Sequence, residues 1–430
     1  MIHLPSLGWP FLGLFLLVAG CAATPPDHLE LMPAPAVFQD GKIDPFDRRG
    51  PENRRIETEI LYATDRDPAG PSDTERHYAN RRGRLVRLGS AAIMHGDGKL
   101  TWDEVRRISL ARERKEPYPL RVSSIEEIGI FADSASPFTD PGLLPADAED
   151  AAVEFAAAVN RKLDRSVNRD IVIYVHGYKV PFEDPLLVAT ELWHFMGYDG
   201  VFIPYSWPST PSVLAYFSDI ETTTLSAHYL RLFLDYLRER TDADRIHVLG
   251  YSAGTRVVID ALSMMAVEGP RGAGEARLGE VILVGSDYDK GLFAAALTNG
   301  ILGVTDRISV YLSAIDRALG FSSLLFGRER LGEILDGDMP EHVRALLRKR
   351  DDLVLLEVTD AENAGARNGH AYFRSSPWVS SDILATLSYG VGPGERGLVQ
   401  LDSNLPIWSY PPDFIERLRA GLSAPQTQSR

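Results

Sequence analysis

The chain has 430 residues, 44% of them hydrophobic and 24% charged, which is enough to bury a large core. Its formal charge of −15 excludes a nucleic-acid partner, because phosphate neutralisation needs clustered Lys and Arg. The single cysteine, Cys21, excludes an internal disulfide and a cysteine-built zinc cage, and no motif asks for a metal or an organic cofactor.

In chain order, the first element is the apolar run "FLGLFLLVAG" from Phe11 to Gly20, too short for a stable bilayer span and ending in small residues before Cys21. "LVAGC" resembles the lipobox of bacterial lipoprotein precursors. That resemblance implies cleavage after residue 20, a lipidated Cys21 at the mature terminus and membrane attachment through it. The leading "MIHLPSLGWP" departs from the pattern in lacking Lys or Arg, and a plain cleaved signal is the alternative. Residues 21–55 are rich in Pro, Asp and Arg without a period of 2 or 3.6, so a flexible tether is expected there. A folded domain is expected over 56–420 and a disordered tail over 421–430.

"IETEILYATDR" and "GRLVRLGSAAIMHG" read as two strands. Short β-branched runs then alternate with helical stretches: "DIVIYV", "GVFIPYS", "RIHVLG", "EVILVG", "RISVYLS" and "DLVLLEV" are the runs, and "TLSAHYLRLFLDYLRERT" is helical by its i, i+3, i+4, i+7 spacing. The expected class is α/β, a mostly parallel central sheet covered by helices on both faces.

Gly250-Tyr251-Ser252-Ala253-Gly254 is a G-x-S-x-G pentapeptide between the apolar strand Ile246–Leu249 and an amphipathic helix from Thr255, the context of a nucleophile elbow. The helix amino end brings partial positive charge and free N–H groups to the place where an oxyanion would form. A serine nucleophile needs a base, and in this arrangement the chain order is Ser, acid, His. Only His342 and His370 follow Ser252. His342 lies in the charged helix "EHVRALLRKR", whereas His370 sits in the loop "ARNGHAYF" beyond a strand, so His370 is the expected base.

The acid stays open between Asp316, which follows the second strand after the elbow, and Asp287, which follows the first; Asp316 is preferred. Asp289 trails both. The expected oxyanion donors are the amides of Ala253 and Tyr178, with Lys179 as the other possibility in "VHGYKVPF". His176 fits this oxyanion loop better than the role of base, and His176, Tyr205, Trp207, Tyr251 and Trp378, at or beside strand-end loops, are candidate pocket residues.

The set "LYATDR", "VHGYKVPFEDP", "YSWPS", "GYSAGTRVV", "YLSAIDRAL" and "GHAYF" resembles the bacterial α/β-hydrolases grouped as DUF900, over roughly Glu57 to Pro377. The resemblance implies the α/β-hydrolase fold and a Ser-Asp-His machinery, with Tyr251 standing where relatives often carry histidine. The expected activity is acyl transfer to water on a small-molecule or lipid-like acyl substrate, carboxylesters first, by a serine hydrolase in the cell envelope, attached to the outer membrane and facing the periplasm. The alternative is a lipoprotein that keeps the fold as a binding or scaffolding module.

Overall fold

The six central β-branched runs all form strands, and each is apolar on both sides because helices cover both faces of the sheet. The computed structural model describes residues 28–423 except 49, 51–52, 74–75, 147, 213–214, 269–277, 327, 334–340, 349 and 367. Its strands are β1 (Leu29–Glu30), β2 (Glu59–Pro68), β3 (Tyr78–His95), β4 (Pro119–Phe131), β5 (Asp170–Val175), β6 (Val201–Ser206), β7 (Arg245–Tyr251), β8 (Leu278–Val284), β9 (Thr305–Leu312), β10 (Leu353–Glu357), β11 (Val399–Gln400) and β12 (Ile407–Ser409).

They make one sheet in the order β1-β4-β3-β2-β6-β5-β7-β8-β9-β10-β12-β11. Every neighbouring pair from β2 to β12 is parallel. The antiparallel pairs lie at the two ends. Because β6 lies on one side of β5 and β7 on the other, the chain reverses direction across the sheet at β5. The carboxyl ends of β5 and β7 therefore flank a topological switch point, where open α/β sheets form their ligand crevice.

The helices are α1 (Trp102–Leu110), α2 (Ala148–Leu163), α3 (Glu183–Phe195), α4 (Tyr216–Arg240), α5 (Gly254–Glu268), α6 (Lys290–Thr298), α7 (Arg317–Phe326), α8 (Glu341–Leu347), α9 (Tyr372–Ser375), α10 (Pro377–Tyr389) and α11 (Phe414–Ser423). Alternation along β5 shows how the two cores divide. Ile171, Ile173 and Val175 face a core with Phe155 of α2, Phe233 of α4 and Val257 of α5. Val172 and Tyr174 face the other, with Leu186 of α3, Ile383 of α10 and Phe414 of α11. Among the described residues, no helix is long and apolar enough to cross a membrane.

The expected tether is corrected over residues 28–48. β1 pairs with the start of β4, Leu31 N–H donates to the Tyr118 carbonyl, and Ala36 N–H donates to the Pro377 carbonyl. The Arg419 guanidinium binds the carbonyls of Ala36, Val37 and Gln39, and Leu31, Met32, Val37, Phe38 and Phe46 are buried. An irregular segment can satisfy its backbone with side-chain donors and isolated backbone bonds, so packing there needs no hydrophobic period. At the other end, residues 421–423 close α11 rather than begin a tail. The apolar leader, Cys21 and residues 424–430 lie outside the described residues.

Candidate active site

Ser252 directly follows β7, with φ of +53°, in the left-handed region that a non-glycine residue enters only under constraint. The constraint comes from both sides. Its N–H donates to the Val284 carbonyl of β8 at 2.9 Å, while its own carbonyl accepts from the Thr255 N–H at 3.0 Å and the Thr255 hydroxyl at 2.6 Å. Gly254 allows the tight turn, since a Cβ there would lie 2.3 Å from the His176 carbonyl oxygen at the end of β5. The serine side chain is thus held above the sheet edge at the amino end of α5.

The half-buried Ser252 hydroxyl lies 2.8 Å from His370 Nε2, and His370 Nδ1 lies 2.6 Å from Asp316 Oδ2. Those residues are 118 and 54 positions apart in sequence. Asp316 follows β9 and caps α7: its other oxygen accepts the N–H groups of Ala318 at 3.0 Å and Leu319 at 3.1 Å. With one oxygen fixed by the helix, the other points at the imidazole. An ionised Asp316 accepts the Nδ1 proton, which leaves Nε2 free to accept the serine proton.

Asp287 does not reach His370. Its oxygens accept from Arg256 Nε at 3.1 Å and Ser322 Oγ at 2.5 Å, tying α5 to α7. Asp289 caps α6 by accepting the Leu292 N–H. The carboxylate alternatives left open by the sequence are therefore structural links, not partners of the imidazole.

The loop after β5 abuts the elbow, and a Cβ on Gly177 would stand 2.9 Å from the Ser252 Cβ. Lys179 follows with φ of +65°. His176 is buried against Trp207, the two rings nearly parallel at 8° with centroids 5.3 Å apart. Its ring nitrogens lie 2.8 Å from the Gly177 carbonyl and 3.1 Å from the Trp207 carbonyl, and the Trp207 indole N–H donates to the His176 carbonyl at 2.7 Å. Burial, with a smaller push from Arg66, lowers the His176 pKa to about 3, so the ring is neutral.

Four expected pocket residues are corrected, the buried His176 among them. Tyr205 and Trp207 are fully buried core residues, the Tyr205 hydroxyl donating to the Ser226 carbonyl, and Trp378 packs on Tyr410 and Phe414. An aromatic at a strand end looks the same in sequence whether it faces the core or a cleft. Tyr251 is at the site, its ring centroid 5.1 Å from that of His370 and 4.8 Å from that of Phe373.

Two contributors were not anticipated. The Tyr372 hydroxyl accepts the Gly285 N–H at 2.7 Å and donates to the Tyr311 carbonyl at 3.0 Å, bracing the floor beneath the imidazole. The other is Arg66, buried behind the loop after β5. Its signal was a charged residue closing the apolar run "LYATDR", where a solvated strand end is the ordinary expectation.

Residues 151–387 match the family described as alpha/beta hydrolase of unknown function, DUF900. An uncharacterized protein of Nostoc sp. is 27% identical over 150 residues, a match covering 29% of this chain and 38% of that protein. No solved structure matches. Since the matched segment runs from α2 to α10 and contains every residue of the Ser252–His370–Asp316 chain, the protein belongs to the DUF900 family of α/β hydrolases.

Proposed function

We propose that the protein is a serine hydrolase of carboxylesterase type. The observation that carries this reading is the continuous hydrogen-bonded chain from Ser252 Oγ through His370 to Asp316 at a left-handed elbow. In acylation, His370 Nε2 takes the serine proton as Oγ bonds to the substrate carbonyl carbon. The amides of Ala253 and Tyr178 receive the oxyanion. The carbon–oxygen bond to the alcohol then breaks and the imidazolium protonates the departing oxygen. Water, deprotonated by the same imidazole, releases the acid and restores the serine.

Tyr251, backed by the buried Phe373, and the exposed Ile315 beside Asp316 give the site apolar surface suited to an acyl chain. The test is a fluorophosphonate probe with p-nitrophenyl esters of rising chain length. Wild type should be labelled and should turn over esters, and Ser252→Ala should do neither. An unlabelled, inactive wild type would favour the binding-module reading instead.

The proposed attachment is through a lipidated Cys21 to the outer membrane of a bacterial envelope, facing the periplasm. The described residues begin at His28, seven positions after Cys21, and a chain of that length spans at most about 25 Å. β1 joins the sheet beside the first residues of β4, next to the last residues of β3 and the start of β2. That is the amino edge of the parallel strands, opposite the edge bearing Ser252. The site would face away from the bilayer, toward water-borne substrate. Cys21→Ser should release the protein from the membrane fraction; unchanged partitioning would refute the anchor.

A further inference from the structure

We propose that Arg66 is a positioning residue for the oxyanion loop, a role that rests on the serine-hydrolase reading above. Arg66, near the end of β2, is wholly buried. Its Nε donates to Ser206 Oγ at 3.1 Å, and one terminal nitrogen donates to Asn80 Oδ1 at 2.6 Å and the Ser209 carbonyl at 3.5 Å. The other terminal nitrogen donates to the Val180 carbonyl at 2.8 Å. A buried cation is costly, and this one directs its N–H groups to neutral acceptors on β3, at the end of β6 and on two loops at the site.

Val180 is where those bonds matter. It follows Lys179, whose left-handed φ of +65° is an unfavourable conformation that needs outside support. Both polar groups of Val180 are clamped: the carbonyl by Arg66, and the N–H by Ser209 Oγ at 3.0 Å. Further up the loop, the Tyr178 hydroxyl donates to the Ser212 carbonyl at 2.5 Å, and His176 is fixed on Trp207. Residues 176–180 are thus seated on residues 206–212, and Arg66 bonds to both segments. Without it, Lys179 relaxes, the backbone of residues 177–179 shifts with it, and the Tyr178 N–H leaves the direction in which an oxyanion would meet it. The ground-state carbonyl asks little of that N–H, so the loss falls on turnover and not on substrate binding.

Although burial lowers the Arg66 pKa to about 10, the guanidinium stays charged at neutral pH, so the bonds to Val180 and Asn80 are charge-assisted. Lysine keeps the charge and one or two of the donors; glutamine keeps neither the charge nor the fork.

The experiment compares wild type, Arg66→Gln, Arg66→Lys and Ser209→Ala for ester kinetics, rate of fluorophosphonate labelling at Ser252 and thermal midpoint. Arg66→Gln should lower kcat by about 10² to 10³ with KM within about twofold, and slow labelling in step. Arg66→Lys should regain at least about tenfold of that loss, and Ser209→Ala, which removes the second clamp and leaves the charge, should lower kcat by about tenfold. Folded Arg66→Gln labelled at the wild-type rate, or a loss expressed in KM with kcat unchanged, overturns the proposal. If Arg66→Gln does not fold, a wild-type kcat in Ser209→Ala overturns it instead. A wild type that is itself unlabelled overturns the serine-hydrolase reading and this proposal together, whereas labelled wild type with indifferent variants overturns only the role of Arg66.

Discussion

Ser252 and Asp316 are each held by the amino end of a helix, and each uses that end differently. At Ser252 the left-handed backbone costs about 1–2 kcal/mol, offset by bonds to Val284 and Thr255, and the turn leaves the hydroxyl projecting toward His370. At Asp316 the helix supplies two N–H donors, so one carboxylate oxygen is fixed and the other aimed. The two aspartates that the sequence left in competition should therefore respond differently to the same change. Asp316→Asn should retain the fold and lower kcat on a p-nitrophenyl ester by about 10⁴, because asparagine holds the wrong tautomer and cannot stabilise the imidazolium. Asp287→Asn removes the negative charge that pairs with the buried Arg256 and Arg330; it should cost on the order of 3 kcal/mol of stability and change kcat far less. Urea unfolding and ester kinetics on both variants decide the matter, and a crippled but stable Asp287→Asn would reverse the assignment.

At the scale of elements, the antiparallel flank built from β2, β3 and β4 carries a pH dependence of its own. His95, at the end of β3, is buried among Tyr118, His194 and Tyr198. Burial lowers its pKa from 6.5 to about 4. A base whose folded pKa lies below its unfolded value contributes stability that is complete above pH 6.5 and lost as pH falls toward 4. The span of about 2.5 units corresponds to on the order of 3 kcal/mol. His95→Phe should remove this dependence, so the stability of wild type minus that of the variant should fall between pH 7 and pH 4. Parallel unfolding curves for the two proteins across that range would show that His95 is not protonated on unfolding. β3 was legible in the run "GRLVRLGSAAIMHG"; the partners of His95, just before β4, in α3 and just after α3, were not, because nothing local to the strand specifies what lies above it.

At the scale of the molecule, the N-terminal segment is part of the fold. Leu31, Met32, Val37, Phe38 and Phe46 are buried, and at about 1.5–3 kcal/mol for each large side chain their removal approaches the total stability of an ordinary domain. A chain beginning at Ile56 should be insoluble or unfold at least 15 °C below one beginning at Ala22, by differential scanning calorimetry; equal midpoints would return the segment to the status of a tether. The amino-acid sequence by itself determined what is local and periodic. The β-branched runs and the helices between them specified a doubly covered parallel sheet, the strand–G-x-S-x-G–helix context singled out Ser252, and the count of histidines after it singled out His370. The tertiary structure alone decided which aspartate meets the imidazole, that Tyr205 and Trp207 face the core, that Arg66 turns inward to the loop after β5, and that residues 28–48 pack. Each of these depends on contacts between segments 21 to 344 residues apart, where side-chain direction and loop path are set by the packing of distant elements and leave no periodic trace in the chain.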